Sequence, residues 1–475
     1  MDDIAEPVPS PDAAWPADAP GPDIAAPEPT LEEREAEYER FVWANLKRNY
    51  LGNYIHGMLG MTGFRLVNAP TFVPAYLHAL AIGATGFLPP GLRMFAGPDA
   101  VVGLGLALQQ MGQVISPIIG ASQIEHRKRV LPVAMLMGTL MRVQILGMAI
   151  AGWLLSGTPL LWAMLFFLFM LGLFSGCQRV AFQLLLSKVI PISRRGRLQA
   201  WRNVTGGLIA AVLSYVAGRY LIGGHVLGNG YSTTFLAAFV LTSAGLTVLQ
   251  ILMREPDPPT VRPKMGVGER LRDVPGLLMG DRGFLYFMIA QTCSVAGRIA
   301  APFYILFARS TIELTGANIG LISLAYLGAD TVTNALWGYL GDKSGFRSTF
   351  IIALVSWIAG TLLLMAAHNE AVVLIAFFGL GAAQSGYNMS SQTMVLEFGL
   401  REDIAMRLAF SSTAEGIMAT LGPLAGGLMA ATLGYTDLFW TSIGFEVIAL
   451  TVLLTLVEEP RLRNLNRMKT SGPSG

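Results

Sequence analysis

The chain has 475 residues, 53% of them hydrophobic and only 13% charged, with a mean hydropathy of +0.52. A soluble domain carries about 25% charged residues to coat its surface, so a water-soluble globular enzyme is excluded and a polytopic membrane protein is expected. The net charge of +2 divides unevenly: residues 1–40 hold twelve acids against two bases, −10, which leaves +12 on residues 41–475.

Residues 1–30 are acidic and rich in Pro and Ala, a composition too polar to bury a core, and they read as a disordered tail. They lack the basic start and short apolar core of a signal peptide, so the first spanning segment is expected to carry the targeting information. Residues 31–48 read either as a short amphipathic helix on the membrane surface or as a solvated lead-in. Crossing ~30 Å of hydrocarbon takes about 20 apolar residues. Such runs lie near 53–80, 99–121, 131–154, 159–187, 201–222, 232–253, 283–308, 317–340, 348–367, 371–395, 408–432 and 437–457. One long hydrophilic gap separates them, at 254–282. The expected plan is an all-α membrane protein of twelve spans: a tail and lead-in (1–50), a six-helix bundle (51–253), a linker (254–282), a second six-helix bundle (283–457) and a second tail (458–475).

Lys and Arg collect on the cytoplasmic side. With the N-terminus cytoplasmic, cytoplasmic segments hold 26 bases, exterior loops hold two (Arg93 and Arg309), and five lie within helices. Both termini are therefore expected in the cytoplasm of a cell carrying the chain in its inner membrane. Cys177 and Cys293 both lie in apolar segments, which gives neither a disulfide framework nor a metal-ligand cluster. No phosphate-cradling loop, nucleotide fold or catalytic triad is visible. No cofactor, enzymatic activity or nucleic-acid partner is expected, and energy must come from an ion or substrate gradient.

The two halves resemble each other. Gly63–Pro70 (GFRLVNAP) and Ala296–Pro302 (AGRIAAP) each place an Arg at mid-span with a Pro about a turn later. Ser175-Gly176 matches Ser385-Gly386, and Arg197-Leu198 matches Arg407-Leu408, both at an offset of 210. Duplicated six-helix bundles create a binding site between them at the bilayer midplane. The end of the eighth span reads GYLGDKSGFR, residues 338–347. Through Gly338, Asp342, Lys343, Gly345 and Arg347 it resembles the G-x-x-x-D-(R/K)-x-G-x-(R/K) loop motif of the major facilitator superfamily. The first-half counterpart, Gly120–Arg129, departs from the pattern: Ile124 stands where the Asp belongs. The resemblance covers about residues 50–457. It implies two pseudo-symmetric bundles with spans 1, 4, 7 and 10 around a central cavity. It also implies a cytoplasmic gate at Gly338, Asp342 and Arg347, where the carboxylate is favoured at a helix N-terminus. Gly422–Gly427 (GPLAGG) is similar to a pattern associated with antiporters, but it lies in span 11 rather than span 5.

A charge at mid-membrane costs roughly 2.5–3.5 kcal/mol, so embedded charges are functional candidates. The family architecture places Arg65, Arg179 and Arg298 on cavity spans and Arg142 on a peripheral one. Arg65 and Arg298 hold near-equivalent places in the two halves. Two guanidinium groups can clamp one carboxylate or phosphate bidentately, an arrangement similar to that of the organophosphate–phosphate exchangers of the superfamily. The competing reading is internal pairing with Asp330 or Glu415. Those two acids are the candidates for proton coupling, or serve as counter-ions to the arginines; Glu446, on a peripheral span, reads as structural. Gln384, Asn388 and Gln392 recur every four residues and form one polar stripe, suited to a polar ligand or to interhelical bonding. Tyr387, Asn68, Gln291 and Tyr304 join the candidate binding set.

The expected function is secondary transport by alternating access, proton-coupled, of a small organic anion or polar metabolite, by a monomer in the bilayer. One alternative is an exporter of amphipathic or lipid-like compounds, suggested by 22 methionines and 24 phenylalanines. The other is a non-transporting sensor or assembly factor of the same fold, suggested by the degenerate first-half motif.

Overall fold

An apolar run in a bilayer has no hydrogen-bond partner for its backbone except itself, so it coils into a helix. The computed structural model describes residues 30–68, 71–84, 97–124, 127–257, 281–398 and 404–459. α1 (Leu31–Ala44) opens on a capping box, in which Thr30 and Glu33 each bond the other's backbone N–H. The Tyr38 hydroxyl donates to the Lys188 carbonyl at 2.8 Å, which docks this lead-in helix on the first bundle.

The first half contains α2 (Leu46–Asn68), α3 (Phe72–Gly83), α4 (Pro98–Ile124), α5 (Leu131–Leu154), α6 (Gly157–Val189), α7 (Ile192–Val216) with a π-helical end (Ala217–Ile222), and α8 (Gly230–Leu252). The second half contains α9 (Arg282–Gly297), a 3-10 stretch (Arg298–Phe303), α10 (Tyr304–Ala308), α11 (Gly316–Ser344), α12 (Phe346–Met365), α13 (Glu370–Glu397), α14 (Ile404–Thr432) and α15 (Tyr435–Thr455). With α2–α3 and α9–α10 each taken as one crossing, these make the twelve spans. The first span, expected over 53–80, is interrupted. It begins earlier, at Leu46, and α2 stops at Asn68 just before Ala69-Pro70, a sequence that disfavours the helical conformation. The seventh span narrows to 3-10 geometry over Pro302 at the matching place. Asn229, Asp281, Thr315 and Asn369 cap α8, α9, α11 and α13 with their side chains, satisfying amides the helix itself leaves free.

The packing is the same in both halves. α2 lies on α8 and α7, α4 on α6, and α5 on α6 and α8; correspondingly α9 lies on α15 and α14, α11 on α13, and α12 on α13 and α15. The halves meet along α4–α14 and α7–α11, two seams that exchange under the same pseudo-symmetry. Both are built on glycine. A Cβ at Gly103 would lie 2.2 Å from the Pro423 carbonyl, and one at Gly218 would lie 2.4 Å from the Gly320 Cα. The GPLAGG segment is thus part of a close backbone crossing. These seams lie at the end of the molecule away from both termini.

A second repeated device closes each half at the end near the termini. Glu255, just past α8, accepts from Val130 N, Leu131 N and Lys188 Nζ at 2.7–3.0 Å. Glu459, just past α15, packs its carboxyl against Gly345 at the start of α12. Gly345 has φ +85, a conformation glycine adopts without strain.

Candidate functional site

The break in the seventh span turns Arg298 toward the interior of the second half. Its Nη1 donates to Gln384 Oε1 at 2.7 Å, and Gln384 Nε2 donates on to Asn388 Oδ1 at 2.9 Å. The guanidinium lies 3.5 Å from the Tyr387 ring centroid and 4.8 Å from that of Trp357, so it is held by two aromatic faces. The Tyr387 hydroxyl donates to Glu415 Oε1 at 2.5 Å, and Gln291 Nε2 donates to the same oxygen at 2.7 Å. Ser411 donates to Gln291 Oε1 at 2.9 Å. Six expected site residues therefore form one connected network: Gln291, Arg298, Gln384, Tyr387, Asn388 and Glu415. Gln291 and Tyr387 are buried within it, while Asn388 and Gln392 are exposed. The polar stripe of α13 thus presents its outer members to the solvent-accessible surface.

Arg65 takes a different place. Its Nη2 lies 2.5 Å from Asp330 Oδ2 and its Nη1 donates to Thr331 at 3.3 Å. The two side chains are 21% and 13% exposed, so the pair is largely removed from water. It crosses from α2 to α11, and so joins the two halves. Thr71 and Ser323 share a buried hydrogen bond nearby. Arg65 and Arg298 both exert their charge on Tyr326 of α11, as does Asp330. Among the described residues only Arg65 of the two arginines has a carboxylate within ion-pair distance. Arg179 is exposed and donates to Gln113 at 3.0 Å.

Tyr304 is 2% exposed, bonded to Thr361 at 2.7 Å and packed on Phe439 and Trp357. It packs in the core between α12 and α15. The side chain of Asn68 lies outside the described residues, as does much of the first-half loop motif. Arg142 is 2% exposed and donates to the Thr242 and Gly138 carbonyls at 2.7 and 2.6 Å, which ties α5 to α8 as a structural residue does.

At the second-half loop motif, Arg347 donates to the Leu453 and Leu454 carbonyls at 3.0 and 3.1 Å, binding α12 to the end of α15. Asp342 is exposed at the end of α11, and Gly338 faces Met389. A surface pocket of about 420 Å³ lies at the opposite end of the first half, lined by Trp153, His225 and Tyr231, away from the Arg298 network. Sequence reasoning missed Trp357 and Ser411. Neither carries a charge or a motif, and only their position against Arg298 and Gln291 marks them.

The family model of the Major Facilitator Superfamily matches residues 287–473. The multidrug resistance protein MdtG of Salmonella arizonae is 26% identical over 409 residues, which is 84% of this chain and 93% of that protein. Its counterpart in Citrobacter koseri is 27% identical over 84% of this chain and 92% of that protein. Among solved structures, a D-xylose-proton symporter superposes with a TM-score of 0.67 at 14% identity, over 88% of this chain and 99% of that one. The nucleoside transporter NupG superposes with a TM-score of 0.60 at 12% identity, over 86% of this chain and 97% of that one. A partially occluded inward-open structure of the xylose transporter XylE from E. coli gives 0.65 at 13% identity, over 88% and 99%.

Proposed function

Because this chain is a member of the major facilitator superfamily, a transporter and not an enzyme, we propose that it moves a small organic anion or polar metabolite across the inner membrane, coupled to protons. Secondary transport is the coarse reading the relatives support. The observation that carries the finer one is Arg298. Among the described residues no carboxylate stands within ion-pair distance of it, yet it sits beside the exposed end of a polar stripe. A cation held by aromatic faces and one amide oxygen keeps donors for a carboxylate or phosphate. The glycine seams hold the halves together away from the termini. With the termini in the cytoplasm, as the 26 to 2 distribution of bases favours, this is the form closed to the exterior. Arg65–Asp330 acts in it as a cross-half lock, Gly338, Asp342 and Arg347 as the opposite gate, and Glu415 as a proton-carrying candidate.

The test is uptake into proteoliposomes of benzoate, glucose 6-phosphate, D-xylose, uridine and ethidium, with and without a pH gradient. Accumulation of an anion that requires Arg298 supports the reading; accumulation of ethidium alone overturns it. That second outcome would favour the other reading, export of amphipathic compounds. Two observations support it: relatives matched over most of their length are named multidrug resistance proteins, and Tyr387 and Trp357 form an aromatic wall beside the network.

A further inference from the structure

Glu446 reads from sequence as a structural acid on a peripheral helix, and the network above does not use it. Its surroundings argue otherwise. It is 0% exposed on α15, and neither carboxyl oxygen has a hydrogen-bond partner. The carboxyl packs on the peptide that leads into Arg298: a Cβ at Gly297 would lie 2.7 Å from Glu446 Oε1. One turn earlier on the same face, Ser442 donates to the Gly297 carbonyl. Three donors of this neighbourhood are also left over: Ser294 Oγ, Arg298 Nε and Trp357 Nε1, all buried and unpartnered.

An ionised carboxylate without hydrogen bonds in a bilayer interior is strongly disfavoured, so in this conformation the group is the neutral acid. The elements packed on it supply one charge to answer it. On the seventh span these are Arg298, with Cys293 and Tyr304 as the other groups that feel Glu446. On α14, Glu415 is occupied by Tyr387 and Gln291, and Arg407 by Asp281 at 3.3 Å. On α12, Arg347 is spent on the carbonyls at the end of α15.

We propose that Glu446 is a proton-binding site that competes with the ligand for Arg298. When Glu446 carries its proton, the guanidinium rests on Tyr387 and Gln384 and its positive charge is available to a negative ligand. When the proton leaves to water, the carboxylate charge is matched by Arg298, whose Nε already lacks a partner on that side. The pair then changes from +1 to neutral and the ligand loses its cation. One negative charge on the ligand is thereby exchanged for one negative charge on Glu446, which makes anion and proton travel together. This coupling rests on the transport reading above, while the proton site itself does not.

The experiment uses the full-length protein in liposomes and the proton as probe. Infrared difference spectra across a pH titration should show the carbonyl stretch of an unbonded carboxylic acid in the wild type. The band should vanish in Glu446→Gln and persist in Asp330→Asn and Glu415→Gln. Arg298→Gln should keep the band at alkaline pH where the wild type has lost it, a shift that a purely structural role would not produce. If Glu446→Gln fails to fold, Gly297→Ala, which drives a methyl into the carboxyl, should displace the band. A band unaffected by either change at 446 or 297 overturns the proposal. If the band behaves as expected but the wild type transports none of the five compounds, the proton site stands and the transport reading falls.

Discussion

Arg298 and Arg65 show how two similar residues reach different roles. Both cost the same to embed, and each stands near a proline in its half. Arg65 meets Asp330 at 2.5 Å, while Arg298 meets two rings and an amide. Removing a charged hydrogen-bond donor from a ligand costs about 1.5–3 kcal/mol. Arg298→Ala should therefore weaken anion binding roughly ten- to a hundredfold, measured by isothermal titration with the anion that proteoliposomes accumulate. Arg298→Lys should not restore it, since an ammonium lacks the planar fork and the stacking face. For the other arginine, either Arg65→Gln or Asp330→Asn alone should lower thermal stability by about 2 kcal/mol, less than the ~3–5 kcal/mol of a fully buried pair. The double variant should recover most of the loss, and additive losses would show that the two residues are not coupled. The embedded charges were visible in the sequence as candidates. Their partners were not, because Asp330 is 265 residues away from Arg65 and no periodicity links them. The surroundings of Glu446 were hidden for a related reason: its helix position says peripheral, whereas its carboxyl packs where Gly297 has no side chain.

The helices themselves were the most legible part, since length and apolarity decide them. Asn68-Ala69-Pro70 and Pro302 also marked the interrupted spans, as the backbone chemistry of proline requires. The glycine pattern of α14 was legible as a pattern but not as a seam, because its partner glycine lies on α4. Gly218→Val should force α7 from α11, since even a Cβ would stand 2.4 Å from the Gly316 carbonyl. Single cysteines placed near this seam should then react faster with a membrane-impermeant maleimide, with the helical content unchanged by circular dichroism. Unchanged labelling would mean that the seam tolerates the wedge. At the other end, Glu255→Ala takes the acceptor from the Val130 and Leu131 amides at the start of α5 and leaves the Lys188 ammonium only the Lys128 carbonyl. With Glu255 3% and Lys188 11% exposed, the loss should be about 2–4 kcal/mol, read as a lower melting temperature. The paired Glu-Pro endings, Glu255-Pro256 and Glu459-Pro460, are a repeat signal present in the sequence, outside the spans.

Across the whole molecule the embedded acids sit on one side. Among the described residues Asp330, Glu415 and Glu446 belong to the second half, beside Arg298, while Arg65, Arg142, Arg179 and Arg202 belong to the first. The Arg65–Asp330 pair links the two sets across the halves, and its attraction adds to the glycine packing that joins them. The cations outside the spans, 26 against two, predict the orientation: a fluorescent reporter fused after Gly475 should mature in the cytoplasm, and a reporter active only outside should be silent there. Proteolysis of the C-terminus from the exterior would contradict this.

In the cycle proposed above, the Arg65–Asp330 pair would also act as a timer. Exposing the exterior face means separating α2 from α11, and this ion pair stands at their crossing. Each 1.4 kcal/mol added to a barrier lengthens a dwell tenfold, so a pair worth about 2 kcal/mol extends the residence of the exterior-closed form by more than an order of magnitude. On the transport cycle proposed above, the turnover of the empty carrier would be governed less by its cavity than by how often one guanidinium lets go of one carboxylate.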